Sequence, residues 1–562
     1  MYGYDLIING KQATGDIIYE NICCRNLMID KFRDDKIFVE NDKYIAILDG
    51  VVLNKKQLQE QYGSKLWADV IIEMYIRKGE TFFSELRGSF SGAIVDKEKC
   101  GKVILFTDHL GTRFTYYTHV DGFFCVTENM GHIYEIMKEN DIHYGLSIEG
   151  AYMLLSYGFM LENRTLCEQV RKIQPGCYVT FENNVVSEKC YYKLDNTPDM
   201  SITESDAIEI VDENFRKAVI REFEKDCEYG YQHLVALSGG LDSRMTCFVA
   251  HHCGYEKQLN FTFSQTNYWD EIVPKQIAED LRHEWIFKAL DNGLWLLDVD
   301  EITRKTGGNV LYYGTAHGNS FYKYLNFEKL GLIHSGQLGD VVIGTHISSD
   351  EEMKEYQKGE GSYSRQLIGR LDLHSANSLN QELGLWYYRY LNGTNNGLQN
   401  AYNYTESLSP FMDINLLENI LTIPKQLRYN HRLYKKWITV KYPVAANYVW
   451  ETLGTKITKP MYNIMGRELT IHQLFTKIGS RLSNVIGNNG RMGGTRQHMN
   501  PIAFYYSNND ELRNLFDSYR QYIKLIENFQ LRKDVEELFN SGTPMERIQA
   551  VSLLSAIKLF YC

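Results

Sequence analysis

Leu234-Val235-Ala236-Leu237-Ser238-Gly239-Gly240-Leu241-Asp242-Ser243-Arg244 decides how this 562-residue chain is read. The apolar run 234–237 predicts a buried strand, and the two adjacent glycines break it at once. Apolar residues over 245–252 predict a helix directly afterwards. Strand, glycine turn and helix aim backbone N–H groups and a helix N-terminus at one spot, which is how a chain holds an anion. Gly239 and Gly240 lack a Cβ, so a phosphate can lie against the main chain there. Ser238 and Ser243 add hydroxyl donors. Asp242 repels a bare phosphate, so a carboxylate in this place predicts a bridging Mg²⁺. The Gly-Lys-Ser/Thr ending of the Walker loop is absent. An ordinary glycine turn between strand and helix is the plain alternative.

The same design recurs in Leu332-Ile333-His334-Ser335-Gly336-Gln337-Leu338-Gly339-Asp340-Val341-Val342-Ile343-Gly344, where a strand again runs into glycines and a carboxylate. Its plain alternative is a turn aspartate capping the next helix. The first phrase resembles SGGxDS, the pyrophosphate loop of N-type ATP pyrophosphatases. The second resembles SGEGSDE-x-x-GG of asparagine synthetase and β-lactam synthetase. The resemblance implies cleavage of ATP between its α and β phosphates and activation of a substrate oxygen as an adenylate. It assigns Leu237, Ser238, Gly239, Gly240, Leu241, Asp242, Ser243 and Gly336 to ATP and its pyrophosphate, and Asp242 with Asp340 to Mg²⁺. Two departures stand out. Gln337 occupies the position of a catalytic Glu or Tyr, and Val341 that of the Glu in Asp-Glu.

Around the first phrase the chain alternates. A helix begins near 201–205, strands are predicted at 259–263 and 283–287, and a helix opens at Asp270-Glu271. Alternation of this kind predicts an α/β doubly wound parallel sheet with ligands at the carboxyl ends of its strands. By that geometry Phe263 and Ser264 lie beside the adenine and ribose. The synthetase-type unit is set at 206–461, after a linker at 195–205.

The first segment, 1–194, reads as an α+β sandwich. Strands are predicted at 5–9, 37–40, 44–48, 103–107, 123–127 and 177–182, with helices at 67–78 and 148–157. Its phrases around Asp49-Gly50-Val51, 86–93 and 108–117 follow the order found in the Ntn-hydrolase-like glutaminase domain of asparagine synthetases, which this segment resembles. In that family a cysteine after the initiator Met is the nucleophile. Here Tyr2 stands there, and a phenol does not replace a thiol. Asp49, Gly50 and Asp108 are read as a vestigial glutamine site in an inactive domain. Loss of the cysteine is shared with β-lactam synthetases and lasso-peptide cyclases.

Downstream, 409–418 resembles the PFLD phrase of the synthetase unit, and 434–438 reads as an amphipathic helix. Relatives carry a lysine in a Lys-x-Gly loop, but Thr452 occupies that position. Lys456, with Lys459 as alternative, is the candidate cation for a pentavalent α-phosphate. His317 and His334 are candidate substrate contacts. Residues 462–562 read as a helical extension packed on the synthetase unit, with a glycine-rich basic lid at 488–496 and a last helix, 544–560, docked on the sheet.

A net charge of −11 argues against a nucleic-acid partner. No apolar run is long enough to insert in a membrane, and no secretory signal is visible. Eleven cysteines without a CxxC pair read as reduced thiols in a cytoplasmic protein. The expected activity is ATP- and Mg²⁺-dependent adenylation of a small-molecule, peptide or sugar carboxylate. Amide formation with ammonia or a substrate amine follows, and the nitrogen source and any homodimer or ammonia-supplying partner stay open. The competing readings are a non-catalytic ATP-binding pseudo-synthetase, amidation of a sugar carboxylate in surface polysaccharide, and a tRNA-modifying pyrophosphatase, which the acidic charge disfavours.

Overall fold

A computed structural model describes residues 2–11, 14–344, 354–373, 379–459, 462–464, 467–469 and 499–562. Its first part is built on two six-stranded sheets. One joins β1 (Tyr4–Ile8), β2 (Ile17–Tyr19), β3 (Ile22–Asn26), β8 (Tyr116–Val120), β9 (Phe123–Thr127) and β10 (Val170–Lys172) in the order β10-β8-β9-β1-β3-β2. The other joins β4 (Ile37–Glu40), β5 (Tyr44–Val52), β6 (Gly88–Asp96), β7 (Lys102–Thr107), β11 (Cys177–Glu182) and β12 (Val185–Cys190) in the order β12-β11-β7-β6-β5-β4.

Side-chain alternation explains the layering. Leu6, Ile47, Val95, Leu105 and Val126 point between the sheets. Their neighbours Leu48, Ile94, Ile104 and Phe106 point outward, beneath α1 (Lys55–Tyr62) and α2 (Trp67–Lys78). On the opposite side Ile7 and Cys125 meet α3 (Met130–Glu139) and α4 (Ile148–Ser156). Helices therefore cover both outer faces of the sandwich.

Cys177 and Cys190 are direct cross-strand partners of β11 and β12 and are joined as a disulfide. This corrects the expectation that every cysteine is a reduced thiol. The pairing follows from strand register, which spacing along the chain does not reveal.

The second part centres on five parallel strands, β13 (Gln232–Ala236), β14 (Gln258–Ser264), β15 (Glu284–Ala289), β16 (Leu330–His334) and β17 (Ser407–Leu408), in the order β15-β14-β13-β16-β17. The strand order reverses beside β13, so a crevice opens between the ends of β13 and β16. Val235 packs toward α5 (Glu204–Tyr229) and α6 (Leu241–His252). Leu234 and Ile333 pack toward α9 (Tyr313–Tyr322), so both faces are covered.

The helix Pro544–Phe560 carries Ile548, Val551, Leu554 and Ile557 into a core shared with α4 of the sandwich and with α8 (Val299–Thr306). It thus bridges the two parts instead of lying on the parallel sheet. The extension before it opens with two short paired strands, Tyr462–Ile464 and Arg467–Leu469, where the sequence suggests helix. The predicted lid at 488–496 lies outside the described residues.

Among the described residues, no helix is long and apolar enough to cross a membrane.

Candidate functional site

The turn after β13 is fixed from several sides. Leu237 N–H bonds the Phe261 carbonyl at 3.0 Å, and its own carbonyl accepts from Thr262 Oγ1 at 2.6 Å. Ser238 N–H donates to Ser243 Oγ at 2.9 Å, and the two serine hydroxyls share a hydrogen bond of the same length. Gly239 N–H donates to Asp270 at 2.7 Å, from the first turn of α7 (Trp269–Leu281). Gly240 then caps α6.

The loop after β16 interlocks with this one. A Cβ on Gly336 would stand 2.2 Å from Ser243 N, and one on Gly339 would stand 2.7 Å from the Asp242 carboxyl carbon. Only glycine lets the two backbones meet so closely. Gly336→Ala is therefore expected to push the loops apart, costing about 1–3 kcal/mol of stability. A melting curve measures the effect. An unchanged melting temperature would show that the loops can part freely.

Both loops line one cavity of about 540 Å³. Leu237, Ser238, Gly240, Leu241, Asp242 and Ser243 form one wall, and Gly336, Gln337 and Asp340 form another. Phe263 lines it too, whereas Ser264 is buried behind it with no partner for its hydroxyl. Gly239 contributes from behind, through its contacts with Asp270 and the segment at Glu451.

Burial and the neighbouring Asp340 push the Asp242 carboxyl well above the usual carboxylate range. Tyr434 donates to Asp242 at 2.7 Å, and Val341 N–H donates to Asp340 at 2.7 Å. Two carboxylates forced together in a cavity form a donor set that fits a hard divalent cation. Asp270, also on the wall, is raised to about 6 by burial.

The remaining candidates divide. His317 lines the cavity beside Phe263, and burial holds its imidazole down at about 4, which leaves it neutral. His334 is not in the cavity. It is fully buried, with Glu222 on Nδ1 and Asp226 on Nε2, each at 2.7 Å. Burial opposes its charge, but Asp226 and Glu222 raise it to about 9. It is a structural imidazolium that ties α5 to β16. His233, Asp226 and His334 could together approach a metal, but they already satisfy one another at hydrogen-bond distance.

Gln337 is anchored by a short hydrogen bond from its side-chain amide to the Thr394 carbonyl. Thr452 and Trp450 reach the cavity. Lys456 does not line it. That lysine is exposed on β19 (Thr455–Lys456), the outer arm of a hairpin with β18 (Val449–Trp450), and Lys459 is likewise exposed. The tight turn of this hairpin carries Trp450 and Thr452 inward and leaves the lysine outside. Tyr434 and Asp270 line the cavity, and Arg244 holds the Gly239 carbonyl from behind it, without having been singled out. Only Arg244 had an available signal, its place directly after the motif.

The first part presents a different picture. Arg113, fully buried, contacts Asp49, Glu128 at 2.9 Å and Glu406 at 2.5 Å, and Lys36 reaches Asp49 and Glu406 at 3.1 Å each. Burial raises the Asp49 carboxyl, but Arg113 and Lys36 outweigh it and hold it at about 2. Asp108 accepts from Leu110 N, Thr112 N, Thr112 Oγ1 and Arg113 N, so its own loop occupies it. Gly50 has φ of +110°, and a Cβ there would lie 2.2 Å from the Ser89 carbonyl. Tyr2 packs edge-on against Tyr402, whose ring also faces Arg113. Asp49 is thus part of a packed ionic cluster, Gly50 sits in close backbone packing beside it, and Asp108 is held by its own loop.

A family model described as a glutamine amidotransferase domain matches residues 25–192, from within β3 to just past β12. The sandwich is thus glutamine amidotransferase-like. Among characterised proteins, the amidase chyE of Penicillium rubens is 25% identical over 215 residues, covering 37% of this chain and 30% of its own. The amidase chry2 of Gibberella zeae is 24% identical over 186 residues, covering 33% of this chain and 26% of its own. This chain therefore matches less than a third of the length of either relative. Among solved structures, a glutamine PRPP amidotransferase from B. subtilis complexed with ADP and GMP superposes with a TM-score of 0.23 at 10% identity, covering 42% of this chain and 54% of that one. An NAD⁺ synthetase from Burkholderia pseudomallei gives a TM-score of 0.17 at 10% identity, covering 44% and 98%. Likenesses at such scores say nothing further about fold or function.

Proposed function

We propose that this chain is an ATP-dependent ligase of the asparagine synthetase type, which adenylates a carboxylate and forms an amide. One observation carries the reading. Two separate strand–glycine–carboxylate loops, ending in Asp242 and Asp340, meet in one cavity at the carboxyl ends of a parallel sheet.

In this reading a substrate carboxylate oxygen attacks the α-phosphorus of ATP, the α–β bridging bond breaks, and pyrophosphate leaves. An amine nitrogen then attacks the acyl carbon, loses a proton, and AMP departs. Ser238, Gly240 and Ser243 would hold the pyrophosphate, and Leu237 and Phe263 would border the adenosine. Asp242 and Asp340 would hold Mg²⁺, which when bound neutralises charge on the leaving group. Gln337 and His317 line the acyl end. Neither is a strong base, so the amine would enter unprotonated or lose its proton to solvent.

The test is exchange of labelled pyrophosphate into ATP across a panel of amino-acid, peptide and sugar carboxylates. Carboxylate-dependent exchange with AMP production is the expected result. Absence of both with every substrate would overturn the ligase reading. The amidotransferase-like part should release no ammonia from glutamine, because Asp49 and Asp108 are already consumed by internal partners. A second reading, ATP binding without turnover, is favoured by Thr452 on the cavity wall and by the anchoring of Gln337 to Thr394. Calorimetric ATP binding with no exchange would select it.

A further inference from the structure

Three arginines stand among the largest fully buried side chains. Arg113 is paired with Asp49, Glu128 and Glu406, and Arg428 with Glu382 at 2.6 Å. Arg244 makes no ion pair with any carboxylate among the described residues. Among the described residues its guanidinium donates to backbone carbonyls only. Nη2 reaches Gly239 at 3.0 Å and Val449 at 2.6 Å, and Nη1 reaches Ala445 at 3.2 Å and Tyr448 at 3.4 Å. Nε has no partner.

A charge taken out of water without a counter-ion is costly. Four carbonyl dipoles offset part of that cost but leave the net charge in place. Its location is specific. The Gly239 carbonyl belongs to the loop that lines the cavity, and the 445–449 segment leads into the turn that brings in Trp450 and Thr452. Glu451 N–H also bonds the Gly239 carbonyl at 3.2 Å. The carboxylates of Asp242, Asp340 and Asp270 lie on the cavity side of the loop. Among the described residues, no lysine or arginine side chain lines the cavity.

We propose that Arg244 is a positioning residue whose buried charge, acting from behind the glycine loop, attracts a polyphosphate into the cavity, so that its counter-ion is the ligand itself. The inference rests on the nucleotide-binding reading above. Mg²⁺ would balance the acidic front of the site, and Arg244 supplies the positive rear. A guanidinium stays charged in a protein interior at neutral pH. It also clips the 445–452 turn to the loop.

The test compares the full chain with Arg244→Lys, which keeps the charge, and Arg244→Gln, which keeps donors without it. Affinities for Mg·ATP and for inorganic pyrophosphate are read by calorimetry, with a melting curve for each protein. Arg244→Gln is expected to weaken both affinities on the order of tenfold or more, the scale of one unit charge removed several ångströms away in a protein interior. Arg244→Lys keeps the charge but not the planar fork, so it should lose clearly less affinity than Arg244→Gln. Should the Gln variant fail to fold, Arg244→Met fills the slot without requiring hydrogen bonds. Failure of both neutral variants to melt cooperatively, while Lys does, would overturn the anion role in favour of a structural one. Equal affinities in all folded variants would overturn this inference alone. A wild-type chain that binds neither ligand would overturn the nucleotide reading and this inference with it.

Discussion

Asp242→Asn is expected to lower pyrophosphate exchange by roughly 10²–10³-fold or more, if the proposed ligase reading holds, and at the same time to raise the melting temperature of the metal-free protein. Both effects have one cause. In the folded chain the Asp242 carboxyl is pushed far up by burial and by Asp340 beside it, so its charged form is disfavoured. Asparagine is the same size and keeps an oxygen to accept the Tyr434 hydroxyl, which donates at 2.7 Å in the parent. What it removes is the cost of a carboxyl buried beside Asp340, a cost that a divalent cation relieves by holding both groups as carboxylates. The two proteins are melted in EDTA and in Mg²⁺. The parent should gain stability on adding Mg²⁺ and the variant should gain little, because one hard ligand is lost. A variant less stable than the parent in EDTA would mean that Asp242 is held by attraction instead, and the metal assignment would fall.

The two motif phrases were legible in the sequence because each packs strand, glycine and carboxylate into a dozen adjacent residues. Local geometry there follows from local residue types. The sandwich strands were legible for the same reason, since alternation marks a sheet face: 37–40, 123–127 and 177–182 match β4, β9 and β11 residue for residue. What was not legible depends on contacts between distant parts of the chain. Arg113, Lys36 and Glu406 come from three separate stretches, and nothing in their surroundings announces a cluster. Lys456 was chosen by counting along the chain from a family loop, but a short hairpin decides which side chains face inward. His334 adjoins the second motif and reads as a substrate contact. Its position on a buried strand facing α5 gives it to Glu222 and Asp226 instead.

The ionic cluster at Arg113 yields the other large effect. Replacing Arg113 with Met removes one of two cations and leaves Asp49, Glu128 and Glu406 with Lys36 alone. Truncating one partner of a buried ion network strands the others, at a cost of about 3–5 kcal/mol. Because Glu406 comes from beside β17 while Asp49, Arg113 and Glu128 belong to the sandwich, the loss should loosen one part of the chain from the other. Limited proteolysis between 195 and 205 would detect this. Glu128→Gln should act in the opposite direction. Burial raises the Glu128 carboxyl to about 7, more than Arg113 restrains it. A carboxyl raised in the folded state binds its proton there more tightly than in the unfolded chain. Its contribution to stability is full below the ordinary Glu range, about 4.3, and is lost as pH climbs through 7. Glutamine copies the protonated form and does not titrate. The difference in stability between variant and parent should therefore grow between about pH 4.5 and 7 in favour of the variant, by up to about 3 kcal/mol. Denaturant melts of the two proteins across that range read the difference directly, which cancels titration elsewhere in the chain. If the difference is flat, Glu128 is ionised throughout and the cluster carries a net negative charge that Lys36 and Arg113 tolerate. If it grows as expected, a proton on Glu128 completes the balance of the cluster at the junction of the two parts.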